Sequence, residues 1–170
     1  EIQPEYEYSN RSSKTAYYVL GVDVGRKGCT TEVCVFKVTP QAQGSSLKTL
    51  VNLYTWDEDH FEDQAINIKR LFYKYKARKV VIDANGLGIG LVDYMVKSQL
   101  DPESGETLPD FGVENDEENF YKQYRTTDTE IDAMYLIKAN APINTEAHTY
   151  VQTQLSSGRI KFLIDENQAK

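Results

Sequence analysis

Two aspartates in this chain each follow an apolar run and precede a glycine-rich turn. Asp23 follows the apolar residues 17–22 and is followed by Gly-Arg-Lys-Gly at 25–28. Asp83 ends the run Lys-Val-Val-Ile-Asp and is followed by glycines at 86, 88 and 90. A carboxylate at the end of a strand is held where a divalent cation can reach it, and carboxylate oxygens suit Mg²⁺. Asp23 and Asp83 are therefore candidate metal ligands.

The elements around these aspartates predict a mixed α/β fold. β-branched and aromatic residues predict three strands joined as an antiparallel meander. The apolar period then changes to that of an amphipathic helix, which a short strand buried on both faces and a second helix follow. These six elements are predicted at residues 16–24, 30–38, 47–56, 62–75, 79–83 and 91–99.

The rest of the chain is less regular. Prolines and glycines predict an exposed loop at 101–118 with one short strand at 111–113. Capping residues then predict helices at 128–139 and 146–155, before a last strand at 159–164. Residues 1–14 lack an apolar period and are predicted to be a linker or N-terminal extension, which makes 15–170 the folded domain.

This order of elements resembles the ribonuclease H-like fold, in which the first strand is central and the fourth pairs beside it. In such a sheet Asp23 and Asp83 lie side by side. Two neighbouring carboxylates can hold two divalent cations about 3.5–4 Å apart for in-line attack on a phosphodiester. The prediction is a mixed central sheet, with a three-stranded meander and later parallel strands, flanked by helices and carrying a metal site.

Two local sequences also carry a resemblance to one family. Residues 21–31 (GVDVGRKGCTT) and 80–93 (VVIDANGLGIGLVD) are similar to the two acid-bearing motifs in the nuclease domain of tailed-phage terminase large subunits. The resemblance implies an endonuclease that hydrolyses double-stranded DNA with low sequence specificity during genome packaging. It implies Mg²⁺ or Mn²⁺ as the two metal ions, with Asp23 and Asp83 as the catalytic ligands.

The resemblance carries further expectations. An ATPase domain of the same protein, the terminase small subunit and the portal are the implied partners, in the cytoplasm of the infected or lysogenic bacterial host. This chain has no G-x-x-x-x-G-K-[ST] motif, so it lacks the ATPase half. The family has a third acid after its last strand. We expect that ligand beyond Lys170, in preference to Asp165 or Asp132.

Charge is unevenly distributed along the chain. The net charge of −7 argues against binding nucleic acid through bulk electrostatics, although a carboxylate metal site is itself acidic. Residues 101–118 contain eight acids and no base, while residues 69–79 contain six bases, which favours a solvated basic helix face. Arg26 and Lys27 are candidate contacts to a DNA phosphate, with a solvated turn as the equal alternative.

Other interpretations stay open at this point. A resolvase-type or transposase-type nuclease would share the fold and the metals, and a docking domain of the same fold would bind a partner without cutting. The Gly-Val-Asp-Val-Gly segment also resembles the phosphate turn of sugar kinases and actin, whose second lobe does not fit in 170 residues. Cys29 and Cys34 are expected to be buried strand thiols, and no apolar run is long enough to span a membrane.

Overall fold

A computed structural model describes residues 15–25, 28–57, 60–125 and 131–162 of the chain. The strands, numbered β1 to β8, are Tyr17–Asp23, Thr30–Thr39, Leu47–Asp57, Lys79–Asp83, Gln99–Leu100, Thr107–Leu108, Met134–Ile137 and Ile160–Lys161. The helices, numbered α1 to α3, are Phe61–Lys74, Leu87–Met95 and Ala141–Ser156. The predicted linker at 1–14 lies outside the described residues and stays a prediction.

Six strands form one mixed sheet in the order β7-β4-β1-β2-β3-β8, and β5 pairs with β6 as a separate ribbon. The meander β1-β2-β3 is antiparallel. Strand β4 runs parallel to β1, β7 runs parallel to β4, and β8 runs parallel to β3. The predicted fold class, a meander extended by parallel strands and flanked by helices, is therefore confirmed.

The main core lies between one face of this sheet and helices α1 and α2. Side chains alternate across a strand, so every second residue of β1 and β4 faces the core. Leu20 and Val22 of β1 are buried with Val80 and Ile82 of β4. The predicted amphipathic helix is α1, and its apolar stripe joins the same cluster. The residues of β1 and β4 that alternate with these buried positions therefore lie on the other face of the sheet.

One predicted element in the later chain is wrong, and one predicted helix is confirmed but begins earlier than expected. The predicted helix at 128–139 is replaced over its described part by strand β7, where Met134 and Leu136 are buried and Tyr135 is exposed. That alternation has the period of a strand. Helix α3 begins at Ala141, five residues before the predicted 146, because the Asn140 side chain caps it by accepting the Ile143 amide.

The cysteine prediction was half wrong. Cys29 is exposed and precedes β2, while Cys34 is partly buried within β2, and both are free thiols. Burial raises the pKa of the Cys34 thiol, with nearby Glu32 as the second cause. Among the described residues, no helix is long and apolar enough to cross a membrane.

The acidic and basic runs pair with each other, which corrects both expectations about them. Arg70 on α1 donates to both carboxylate oxygens of Asp101, its Nε lying 3.0 Å from Oδ2, and it also pairs with Glu103 at 2.9 Å. Lys79 forms an ion pair with Glu114. The basic run is thus not a freely solvated face, and the acidic segment is anchored rather than simply exposed, with Asp110 fully buried.

The same segment covers the edge of the sheet at β7. Val113 forms a parallel bridge to Met134, which agrees with part of the short strand predicted at 111–113. The Asn115 side chain continues this pairing by accepting the Leu136 amide at 3.0 Å and donating to the Leu136 carbonyl at 2.8 Å. A covered edge strand cannot pair with another chain.

Lys69 is a fully buried lysine beneath the acidic segment. Its Nζ donates to the Lys97 carbonyl oxygen at 2.6 Å and lies 5.4 Å from the centre of the Phe111 ring. Burial lowers the pKa of Lys69 from 10.5 to about 7, against a smaller opposing effect of Asp110. The uncharged amine is therefore stabilised in the folded protein relative to the unfolded chain.

This lysine should make stability depend on pH. Between about pH 7 and pH 10.5 the unfolded chain holds a proton that folded Lys69 lacks, so the free energy of unfolding rises with pH. Between pH 7 and 9, we expect the free energy of unfolding of the wild type to rise relative to that of Lys69→Met by up to about 1.4 kcal/mol per pH unit. Urea unfolding would measure both values. Lys74→Met, at an exposed position of α1, is the control. Equal slopes for wild type and Lys69→Met would contradict the prediction.

Candidate active site

Asp23 and Asp83 lie at the same edge of the sheet. The pairing of β1 with β4 includes Val22 opposite Ile82, and the two aspartates are the next residue of each strand. Because the strands are parallel and neighbours, their carboxyl ends are separated by about 4.8 Å. Val22 and Ile82 face the core, so alternation places both aspartates on the opposite, open face.

The two carboxylates differ in their local contacts. Asp83 Oδ1 accepts the Asn85 amide at 3.0 Å, which fixes the carboxylate over the turn. The Asn85 side chain donates to the Ala139 carbonyl oxygen at 2.8 Å and so ties the turns after β4 and β7 together. Asp23 is exposed, and no hydrogen bond or ion pair joins its carboxylate to another described residue. Asp23 and the second oxygen of Asp83 are therefore available to a ligand.

A third carboxylate, Glu32, lies beside Asp23 and was missed by the sequence reasoning. The register of β1 and β2 places Glu32 directly opposite Asp23. Its two oxygens accept the hydroxyls of Thr30 at 3.0 Å and Thr55 at 2.7 Å. Glu32, Asp23 and Asp83 thus form a row across three neighbouring strands. The only sequence signal for Glu32 is the hairpin register, which depends on the length of the turn.

The other candidate residues are less well placed or not described. Asp132 precedes β7, at the end of the strands opposite Asp23 and Asp83, and lies 3.6 Å from Arg125. It is therefore not near the carboxylate row. Arg26, Lys27 and Asp165 lie outside the described residues, so their roles stay predictions.

The glycines after Asp83 allow α2 to begin against the end of β4. Gly86 has a φ of 57°, which favours glycine. A Cβ on Gly88 would lie 1.8 Å from the Asp83 carbonyl oxygen, and a Cβ on Gly90 would lie 2.4 Å from the Phe61 ring. Contacts this short cannot exist, so Gly88 is required by the close approach of the Asp83 backbone, and a side chain at Gly90 would have to displace the Phe61 ring. The glycine spacing therefore fixes the backbone that carries Asp83.

Gly88→Ala should displace α2 from the end of β4. Overpacking of a well-packed site typically costs about 1–3 kcal/mol, and we expect a loss of stability in that range. Thermal and urea unfolding would measure it. Gly21→Ala is the matched control, because no heavy atom lies within 4 Å of a Cβ at Gly21. Equal stability of the two variants would show that α2 is not held by this contact.

The carboxylates suit a magnesium ion by their chemistry. Mg²⁺ keeps several waters and is commonly bound by one or two carboxylates together with substrate phosphates. Asp23 and Asp83 offer such oxygens on neighbouring strands. Among the described residues, no group of three or more His, Cys, Asp or Glu side chains could enclose a metal. The fit is therefore to an open site that shares its ion with water and substrate.

Comparison with known proteins identifies the fold. Two crystal structures of the large terminase nuclease from thermophilic phage G20c are similar to this chain, one of them with bound magnesium. The magnesium-bound structure has a TM-score of 0.54 at 14% identity, covering 89% of this chain and 60% of that one. The second has a TM-score of 0.50 at 13% identity, covering 89% of this chain and 61% of that one.

No family model and no curated protein matches the sequence. At 13–14% identity the structural similarity establishes the fold, and this chain spans about 60% of the length of the structures that it matches. The chain thus has the ribonuclease H-like fold of large terminase nucleases, and the predicted resemblance is confirmed at the level of the fold.

Proposed function

We propose that this chain is the metal-dependent endonuclease domain of a phage terminase large subunit. It would hydrolyse double-stranded DNA with low sequence specificity during genome packaging. The observation that supports this best is the placement of Asp23 and Asp83 on adjacent parallel strand ends within the fold of a large terminase nuclease. The magnesium bound to one G20c neighbour supports a divalent cation, Mg²⁺ or Mn²⁺, as the cofactor in this proposal.

In this proposal Asp23 and Asp83 would hold two divalent cations at the carboxyl ends of β1 and β4. Bound ions of this kind lower the pKa of an attacking water and stabilise the charge on the leaving oxygen. Asp83 keeps one orientation because the Asn85 amide holds Oδ1, which leaves Oδ2 for the ion. Glu32, fixed by Thr30 and Thr55, adds negative charge next to Asp23 and strengthens attraction for a cation.

Contacts to the DNA backbone would account for the proposed low sequence specificity. Phosphate contacts position a nucleic acid without reading its sequence. Arg26 and Lys27 follow Asp23 in the chain, so we retain them as proposed contacts to the DNA backbone. Lys138 follows β7 directly, next to the turn that Asn85 contacts, and adds a cation at the same edge.

The larger assembly is part of the same proposal. An ATPase domain of the full-length protein, the terminase small subunit and the portal would be the partners, in the cytoplasm of the bacterial host. Both G20c neighbours are large terminase nucleases, which supports a place in a larger terminase. A docking domain without activity is the alternative that the following experiment separates, whereas a resolvase-type or transposase-type nuclease would share the metals and the cleavage.

Removal of either aspartate should abolish cleavage. Loss of a residue that only supports a metal ligand typically costs about 10–100-fold in affinity or activity. We therefore expect Asp23→Ala and Asp83→Asn each to reduce plasmid nicking in Mn²⁺ by about 100-fold or more. Asp93→Asn, at an exposed position of α2, is the control and should nick like the wild type. Equal nicking by wild type and Asp23→Ala would refute a metal nuclease at this site.

Glu32→Gln tests the third carboxylate. The substitution keeps the size of the side chain and removes its charge beside Asp23. We expect the Mn²⁺ concentration for half-maximal nicking to rise about 10-fold, the lower end of the range for support of a metal ligand. Glu146→Gln on exposed α3 is the control. An unchanged metal requirement would remove Glu32 from the proposed site while leaving Asp23 and Asp83 in it.

A further inference from the structure

A buried polar network lies directly behind the turn that follows Asp23. It consists of Thr31 on β2 and Gln64 on α1, which are 0% and 1% exposed, together with the backbone of Gly25. The Thr31 hydroxyl accepts the Gly25 amide at 2.9 Å and lies 3.0 Å from Gln64 Oε1, to which it donates. Gln64 Nε2 donates to the Gly25 carbonyl oxygen at 3.2 Å.

This network forms hydrogen bonds with both the amide and the carbonyl oxygen of Gly25. Burying an amide or hydroxyl without a hydrogen bond costs several kcal/mol in an apolar environment, so each member depends on the others. Gly25 is also closely packed, since a Cβ there would lie 2.1 Å from the Thr30 carbonyl oxygen. The backbone at Gly25 is therefore fixed from the core side by hydrogen bonds and from β2 by steric contact.

Asp23 lies between two fixed points of the chain. The ladder of β1 with β2 and β4 holds it on one side, and Gly25, two residues later, is held by Thr31 and Gln64. The Asp23 carboxylate has no hydrogen bond to another described residue that would set its orientation. The direction of its carboxylate therefore depends on the backbone between these two points.

We propose that Gln64 is a positioning residue for Asp23, acting through Thr31 and Gly25. This inference rests on the proposed metal site. Gln64 does not touch the ligand; it sets the backbone from which Asp23 reaches the ion. Residues that orient metal ligands from behind commonly contribute about 10–100-fold to metal affinity. The chain that follows Gly25 leads into Arg26 and Lys27, so the same anchor would set where the proposed DNA contacts begin.

The experiment measures Mn²⁺ affinity directly, without cleavage. Free Mn²⁺ would be followed by electron paramagnetic resonance at a temperature at which every variant is folded, as checked by circular dichroism. We expect Gln64→Met to weaken Mn²⁺ binding about 10-fold. Thr31→Val should do the same, while Thr31→Ser, which keeps the hydroxyl, should bind like the wild type.

Gln99→Met is the matched control for the substitution itself. Gln99 is also buried, and neither polar atom of its side chain has a hydrogen-bond partner among the described residues. Its replacement by Met should leave Mn²⁺ affinity unchanged. If Gln64→Met does not fold, the comparison of Thr31→Val with Thr31→Ser decides the question in the same way.

The outcomes separate the two proposals. If folded Gln64→Met and Thr31→Val lose only thermal stability and bind Mn²⁺ like the wild type, Gln64 supports the core and the positioning role is wrong. If wild type and Asp23→Ala bind Mn²⁺ equally, the proposed metal site fails, and the positioning role fails with it. Weaker binding by Asp23→Ala, Gln64→Met and Thr31→Val, but not by Thr31→Ser or Gln99→Met, supports both.

Discussion

The parallel pairing of β1 with β4 determines where the two aspartates lie. Antiparallel neighbours would place Asp23 and Asp83 at opposite edges, whereas parallel strands bring both carboxyl ends to one edge. A parallel pair needs a long crossover connection, and here β2, β3 and α1 supply it. The crossover returns the chain over one face and builds the core there. The opposite face is thereby left to the carboxylates at their edge.

Within the described part of the chain, two groups of charged residues bear on the binding of nucleic acid. One is the row of Glu32, Asp23 and Asp83, in which Asp23 has no partner among the described residues. The other lies around α1, where Arg70 and Lys79 pair with the acidic segment. Because these basic side chains are paired with carboxylates, they attract nucleic acid less strongly. The net charge of −7 is therefore not offset by an exposed basic helix. A polyanion approaching the row therefore needs cations at the row itself, which the proposed divalent ions would provide.

Local patterns in the sequence predicted the first half of the fold well. The predicted bounds of β1 to β4 and α1 differ from the structure by one residue at most, because each has a clear apolar period. Strand β7 was mistaken for a helix because it is only four residues long and its pairing with β4 is distant in sequence. Two further features were missed for a related reason: the ion pair of Arg70 with Asp101, and the position of Glu32 beside Asp23. Each depends on register or packing between segments, which composition and periodicity do not contain.

Buried contacts on the core side of the sheet fix the backbone that carries Asp23 and Asp83. Asp23 and Asp83 are turned toward the open face, so few side chains can hold them from the front. The backbone that carries them is instead fixed from the core side, by Gln64 through Gly25 and by the approach of α2 at Gly88. These contacts depend on the buried side-chain amide of Gln64 and on the absence of a Cβ at Gly88. They do not involve most surface residues. A fold held in this way tolerates extensive change elsewhere, which is consistent with structural similarity to the G20c nuclease at 14% identity.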